Sequence, residues 1–405
     1  MRVLFTTWAE PGHLYSLVQL AWACQAAGHE VRVAVPPACA PAVAGTGLIG
    51  VPVGRDVAVD QIRNRADLAP WRSPVRWPEG WNSRPELLDD GHRTVLAALL
   101  DKQLAVAGAM ADDLVGFARA WRPDVVVHDP LAFAGPLAAA VLGVPAFGHT
   151  WGTAAVMRIE AAGPGDRLLP GYRELFERYG ADPEHGPSAW FDPCPPPLRL
   201  PDPAPRRRLP VRYVPYNGPG LLPGWLHAER SAPRVCVTAG VSGGKIRPDR
   251  PPELFTRTLA ALTSLDVEVV LAVGAGQGGQ FAGLPERVRV AESLPMAALL
   301  PTCAAVVHHG GSGTGLTAAA VGVPQLVLPQ VPVAAEIGER LAAVGAGLIP
   351  EPERQDDPAG IAAAVAELLG EPRFRKAAAL LREEMLADPS PADRVAVLEE
   401  AAAAG

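Results

Sequence analysis

Cysteine is scarce in this chain and poorly placed for cross-linking. Cys24, Cys39, Cys194, Cys236 and Cys303 are odd in number and scattered, with no C-x-x-C pair. That pattern excludes a disulfide framework or a structural zinc site, and fits a reducing, cytoplasmic setting. Lysine is rarer still, with Lys102, Lys245 and Lys376 its only instances; 36 Lys+Arg stand against 43 Asp+Glu, a net charge of −7. No positive field gathers phosphate backbone, so nucleic acid is not an expected partner. Long apolar runs are missing as well. The most apolar stretch, Leu131 to Gly148, is broken by three Gly and two Pro, whereas a membrane span needs about 20 apolar residues. The N-terminus turns polar after Val3-Leu4-Phe5, while a secretory core needs about 7 to 15 apolar residues. Neither a signal peptide nor a transmembrane segment is expected.

What is present suits a folded chain of two domains. Hydrophobic residues make up 49% of the 405 positions and charged residues 20%, too apolar for disorder and long enough for two cores. Val3 to Thr7 reads as a strand, Leu14 to Ala27 as an amphipathic helix capped by Gly28, and Val31 to Val35 as a second strand, a βαβ opening. Further β-type runs occur at Val125 to Val127, Val235 to Thr238, Val267 to Val273, Val288 to Val290, Ala305 to Val307 and Gln325 to Leu328, with Ala/Leu-rich runs between them. Such alternation predicts α/β domains with parallel sheets covered by helices. The stretch from Asp192 through Pro223 is so rich in proline that neither helix nor central strand is expected there. The predicted organisation is a first domain over 1–205, a connector over 206–228 and a second domain from 229. Residues 55–90 are irregular and carry Trp71, Trp77 and Trp81; we read them as a substrate lid, disorder being the other reading.

Three places carry chemistry. His309-Gly310-Gly311-Ser312-Gly313-Thr314 lies between a β-run and the helical run Leu316 to Ala320. A strand, a glycine turn and a helix start form an anion cradle: glycines admit close approach, helix-N-terminal amides attract charge, and His309, Ser312 and Thr314 can donate. By itself G-G-x-G is equally a plain turn. His13 follows Gly12 at the start of the first helix, at the carboxyl end of a strand, where the helix dipole favours the neutral ring a general base needs. Alone, a histidine there is more often an ordinary N-terminal helix residue. Asp129 follows the strand ending at His128 and can orient an imidazole or merely cap a turn. His128 itself is expected to point to the opposite face and pack. Val235 to Gly240 runs into Val241-Ser242-Gly243-Gly244-Lys245, a loop able to close on a diphosphate or simply to face solvent.

Ala291-Glu292-Ser293-Leu294-Pro295, Leu299-Leu300, His308 to Thr314 and Gly322-Val323-Pro324-Gln325 to Gln330 together resemble the donor-binding half of GT-B, nucleotide-sugar-dependent glycosyltransferases. Val3 to His13, Leu20-Ala21-Trp22-Ala23, Gly28-His29-Glu30-Val31 and Trp121-Arg122-Pro123-Asp124 resemble the subgroup that attaches deoxysugars to macrolides and aromatic polyketides. Asp192-Pro193-Cys194-Pro195-Pro196 and Tyr213-Val214-Pro215-Tyr216-Asn217-Gly218 are especially similar to the spinosyn rhamnosyltransferase type. The resemblance covers nearly the whole chain and is weakest in 55–90 and 158–188.

The resemblance implies a GT-B fold: two Rossmann-like α/β domains, parallel sheets facing an interdomain cleft, donor domain ending near 385, and a C-terminal helix (386–405) packing back on the first domain. It implies an inverting transfer from a dTDP-deoxysugar co-substrate to a hydroxyl of a hydrophobic, polyketide-like acceptor, with no cofactor. His13 takes the general-base position and Asp129 that of its partner. Ser242 contacts the nucleotide phosphates together with His309, Gly311, Ser312, Gly313 and Thr314; Leu294 meets the pyrimidine. Thr317 stands where UDP-sugar relatives carry a Glu for the ribose hydroxyls, which favours dTDP. Beyond Gln330 the family's sugar-binding Asp-Gln pair is replaced by Val333 and Ala334. An unpaired sugar hydroxyl there costs about 1–3 kcal/mol, so a deoxysugar is the consistent donor; lost catalysis, or substitution by Gln330 or Glu336, is the alternative. No D-x-D motif stands out, Asp89-Asp90 and Asp112-Asp113 lying in the acceptor half, so no metal ligands are assigned. Some members of the subgroup need an auxiliary activator protein, and a homodimer is compatible. The rivals are a nucleotide-sugar epimerase, disfavoured by the apolar Val333 and Ala334, and a catalytically silent binding or activator protein.

Overall fold

The computed structural model describes residues 1–8, 10–63, 65–73, 75–81, 84–161, 167–200, 207–240, 253–281 and 283–404. Its first sheet contains β1 (Arg2–Thr6), β2 (Glu30–Val35), β3 (Gly50–Pro52), β4 (Val125–His128), β5 (Ala146–His149), β6 (Trp190–Asp192) and β7 (Arg208–Pro210), in the order β3-β2-β1-β4-β5-β6-β7. Its second contains β8 (Arg234–Thr238), β9 (Glu268–Val273), β10 (Val288–Glu292), β11 (Ala305–His308), β12 (Gln325–Val327) and β13 (Gly347–Leu348), in the order β10-β9-β8-β11-β12-β13. All neighbouring strands run parallel. In both sheets the order reverses direction once, beside β1/β4 and beside β8/β11. Crevices open at the carboxyl ends of strands at such switch points.

Burial on both faces explains why the strands read as apolar runs. Val3 and Phe5 of β1 join Val125 and Val127 of β4 against helix α1 (Pro11–Ala26), through Leu14, Leu17 and Leu20. Leu4 and Val126 point the other way, into a cluster with Leu99, Met110 and Leu114 of α2 (Asp90–Trp121). This is the period of two expected of a strand. Helix α2 starts where Asp89 accepts a hydrogen bond from His92 N (2.8 Å) and stops at Arg122, whose backbone is left-handed. It alone among the described residues is long and apolar enough to cross a membrane, yet its apolar face is buried on the first sheet, which makes it a core helix here.

The second domain repeats the scheme, Val235, Val237 and Val307 facing one cluster and Cys236 and Val306 the other. Four of its helices position the site or close the fold: α3 (Met296–Leu299), α4 (Ser312–Val321), α5 (Pro332–Ala343) and, at the end of the chain, α6 (Val395–Ala404). Val395 and Leu398 of α6 are buried in the first domain's α1-side core, and Glu399 Oε1 lies 2.9 Å from His29 Nε2. The proline-rich stretch holds β7 as an edge strand with Pro210 at its end, a position where a missing N–H removes no ladder bond. Beyond β7 the connector is irregular save for a short 3₁₀ turn, Gly224–His227.

Candidate active site

Helix α1 begins at Pro11, whose missing N–H is harmless in a first turn, so His13 sits in that turn just beyond β1. Asp129 is the first residue beyond β4, and its backbone N–H donates to Thr6 O of the adjoining strand (3.0 Å). The two side chains meet: His13 Nδ1 is 2.7 Å from Asp129 Oδ2, while Asp129 Oδ1 accepts from Leu131 N (2.8 Å). Asp129 is fully buried. A carboxylate only accepts, so Nδ1 carries the imidazole hydrogen and the lone pair of the neutral ring lies on Nε2. Trp8 and Trp151 flank the imidazole, with ring centroids 5.2 and 4.3 Å away. Neither indole was singled out in the sequence, and nothing in their spacing marks them.

His128 behaves as strand alternation predicts. It is buried against Trp190, its Nδ1 lies 3.1 Å from Asp129 O, and burial pushes its pKa down to about 4.

The glycine turn follows β11. Gly310 has φ +84°, and a Cβ there would lie 2.6 Å from Ala334 Cβ, so only glycine suits the turn. Gly311 is the N-cap of α4 and provides no side-chain cap; the first-turn amides of such a helix have no intrahelical acceptor and are open to an anion. Ser312 is buried, Thr314 half-buried and Gly313 exposed on this turn. The His309 ring packs on Gly240, where a Cβ would come within 2.4 Å of its Cε1. Burial holds the His309 pKa at about 4, so at neutral pH the ring is uncharged and offers an N–H. His308 supports the loop from beneath: Gly310 N donates to its Nδ1 (3.1 Å) and its Nε2 meets Gln325 Oε1 (2.9 Å). Burial, then the His309 neighbour, lowers the His308 pKa to about 3. Gln325, fully buried, also donates to Gly315 O (3.1 Å). A polar residue in a fully buried strand was the signal available for this pair.

Leu294 is buried between β10 and α3, after Ser293 in a left-handed conformation (φ +51°). Thr317 is fully buried with its hydroxyl already engaged, donating to Gly313 O (2.6 Å) and accepting from Asn217 Nδ2 (3.1 Å). Gln330 is exposed, its amide 3.3 and 3.2 Å from the carbonyls of Leu328 and Pro329. Val333, in the first turn of α5, packs against the first domain's cluster that contains Trp8, while Ala334 backs Gly310. Ser242 lies outside the described residues.

The two halves of the site adjoin, because α1 and α4 are in contact, and Leu316 of α4 fills the space where a Gly152 Cβ would stand. The irregular segment 55–90 reaches the second domain as well: Arg76 pairs with Glu339 of α5 (3.2 Å) and with Glu351 (3.6 Å), while Trp71, Trp77 and Trp81 pack edge to face behind it. Burial raises the Glu339 carboxyl above its ordinary range, and the Arg76 guanidinium opposes this. Among the described residues no group of three or more His, Cys, Asp or Glu side chains gathers as a metal site would require.

Two family models match the chain: the N-terminal domain of erythromycin biosynthesis protein CIII-like proteins over residues 22–240, and their C-terminal domain over 256–401. The 10-deoxymethynolide desosaminyltransferase of Streptomyces venezuelae is 38% identical over 100% of this chain and 97% of its own length. The TDP-daunosamine transferase DnrS of Streptomyces peucetius is 38% identical over 99% of this chain and 96% of its own. Among solved structures, spinosyn rhamnosyltransferase SpnG complexed with thymidine diphosphate has a TM-score of 0.82 at 34% identity, covering 98% of this chain and 100% of that one. The same protein complexed with spinosyn aglycone gives 0.83, with the same identity and coverage.

Proposed function

The chain belongs to the erythromycin biosynthesis protein CIII-like family and has the GT-B architecture of its solved relatives, and from that membership we propose that it moves a deoxysugar from a dTDP-sugar to a hydroxyl of a polyketide-like aglycone, with inversion. The observation that carries the reading is the 2.7 Å contact of His13 with buried Asp129, on a helix that touches the one bearing the glycine-rich anion cradle. Of the relatives, one is a desosaminyltransferase of 10-deoxymethynolide and another a TDP-daunosamine transferase, and two complexes of one neighbour hold thymidine diphosphate and spinosyn aglycone. The acceptor belongs to the first domain and the donor to the second.

In this mechanism His13 Nε2 takes the proton of the acceptor hydroxyl as its oxygen attacks the anomeric carbon from the face opposite the diphosphate. The anomeric C–O bond breaks and its electron pair leaves on the β-phosphate. Asp129 keeps the tautomer productive and stabilises the imidazolium that forms. The first-turn amides of α4, the His309 N–H and the hydroxyls of Ser312 and Thr314 meet the charge gathering on the diphosphate, in concert with Ser242. The Val333 and Ala334 side chains offer a sugar no polar partner, which suits a donor lacking hydroxyls at those positions. The reading places the enzyme in the cytoplasm and is compatible with an auxiliary protein or a homodimer.

The test is calorimetric titration with dTDP and with UDP, followed by incubation with dTDP-deoxysugars and macrolide or anthracycline aglycones. Preferential dTDP binding and a product heavier by one anhydrosugar, with inverted anomeric coupling, are expected. A folded protein that binds neither nucleotide overturns the reading. Transfer at full rate in excess chelator is expected too, and its abolition would show a required divalent ion.

A further inference from the structure

The connector makes contacts that the mechanism above does not use. Asn217 spans two elements of the donor domain. Its Oδ1 accepts from Ala297 N (3.0 Å) and its Nδ2 donates to Thr317 Oγ1 (3.1 Å). Ala297 is in the first turn of α3, directly after the Ser293-Leu294-Pro295 loop, and the N-cap of that helix, Pro295, has no side-chain cap of its own. Thr317 is one turn into α4 and donates to Gly313 O, so it grips the turn that forms the anion cradle. Tyr213, four residues before Asn217, adds a second hold, its hydroxyl 3.0 Å from Gly313 O and 3.1 Å from Thr317 Oγ1. Between them, Tyr216 stacks edge-on against Tyr15 and Trp22 of α1, each at 5.2 Å. One short segment thus touches the helix of the general base, the helix that directly follows the loop assigned to the pyrimidine, and the helix assigned to the phosphates.

We propose that Asn217, seconded by Tyr213, is a positioning residue of the donor site: a strut that sets the separation between the pyrimidine-reading loop at Leu294 and the phosphate-binding start of α4. The inference rests on the donor reading given above. The orientation of the Asn217 amide is dictated by its partners, since a backbone N–H requires the oxygen and a hydroxyl already donating to Gly313 requires the NH₂. A ligand spanning both subsites depends on their spacing, whereas one that fills a single subsite does not. Ser293 makes the strut necessary, because a non-glycine residue held left-handed persists only where the surroundings over-determine it.

The experiment is a set of binding titrations of the full chain with dTDP, thymidine and inorganic pyrophosphate, for the wild type, Asn217→Ala, Asn217→Asp and Tyr213→Phe. Asn217→Ala removes both arms and is expected to weaken dTDP about tenfold, the size of one lost hydrogen-bonded link, with thymidine and pyrophosphate shifted less than about twofold. Asn217→Asp keeps the acceptor for Ala297 N and loses the donor to Thr317, so an intermediate loss is expected; Tyr213→Phe, which removes one hydroxyl, serves if the alanine variant misfolds. Unchanged dTDP affinity in Asn217→Ala, or in both milder variants if that protein misfolds, overturns the proposal. So does an equal loss for dTDP and thymidine, which marks a collapsed loop and not a lost spacing. A wild type that fails to bind dTDP refutes the donor reading itself, a result separate from any difference among variants.

Discussion

His13 and Asp129 are separated by 116 residues and meet at 2.7 Å because the helix that follows β1 starts beside the end of β4, the adjacent parallel strand that Asp129 directly follows. The Asp129 carboxylate is buried with both oxygens in hydrogen bonds, so its orienting effect on the imidazole is not diluted by solvent. We expect His13→Ala to lower kcat by about 10² to 10⁴ with dTDP affinity unchanged. Asp129→Asn, whose amide can donate to Nδ1 and drive the ring hydrogen to Nε2, is expected to cost at least about 10² in kcat. Steady-state transfer kinetics beside dTDP titration check both, and a kcat within twofold of wild type would remove His13 from the base position. For His309 the proposed role is different, that of a neutral donor to the diphosphate. His309→Ala is expected to weaken dTDP about 10- to 100-fold, the worth of a hydrogen bond to a charged group, and calorimetry reads it directly.

At the level of elements, the anion cradle depends on one left-handed residue. Gly310→Ala forces a Cβ against Ala334 Cβ at 2.6 Å in a backbone at φ +84°, and Ala334 belongs to the well-packed α5. The expected result is a loss of about 1–3 kcal/mol of stability, together with weaker dTDP binding as α4's first turn shifts. Chemical denaturation and titration of the same sample check this, and wild-type values in both would mean that the turn relaxes freely. The continuous apolar runs were legible in the residues: β1, β2, β4, β8, β9 and β11 begin and end within a residue or two of the runs that predicted them. The strands at β3, β6, β7 and β13 are two or three residues long, too short for a period to show, and β5 carries a glycine amid its four residues. They exist because neighbouring strands offer them hydrogen-bonding edges, which local sequence does not record.

Among the described residues, His128, His149 and His308 are buried and His309 is half-buried, and all four are held towards the neutral form. Burial pushes His128 and His309 down to about 4 and His308 to about 3, and lowers His149 as well. The unfolded chain takes up protons on these rings below their ordinary pKa of about 6.5, while in the folded chain His128, His308 and His309 do not until pH 3 to 4 and His149 follows in the same direction. Stability is therefore full above about pH 6.5 and is lost progressively as pH falls through that window. Urea midpoints at pH 7, 6, 5 and 4 are expected to fall steadily, and a flat profile between pH 6.5 and 4 would contradict neutral burial. A bound diphosphate near His309 favours its protonated form, so ligand is expected to reduce that ring's share of the acid loss.

Taken alone, the amino-acid order determined the alternation of strand and helix, the glycine turn after β11, and the placing of His13 and Asp129 at strand ends, because each depends on local period or on a residue's own backbone freedom. It determined the family too, through several motifs in a fixed order. Only tertiary structure decided that Trp8 and Trp151 flank the His13 ring, that Thr317's hydroxyl is already occupied, that Val333 faces the first domain, and that Asn217 ties two donor elements together. Those outcomes depend on which side chains from distant parts of the chain come within about 3 Å of one another, and a hydrogen bond of that reach follows from the packing of whole sheets and helices.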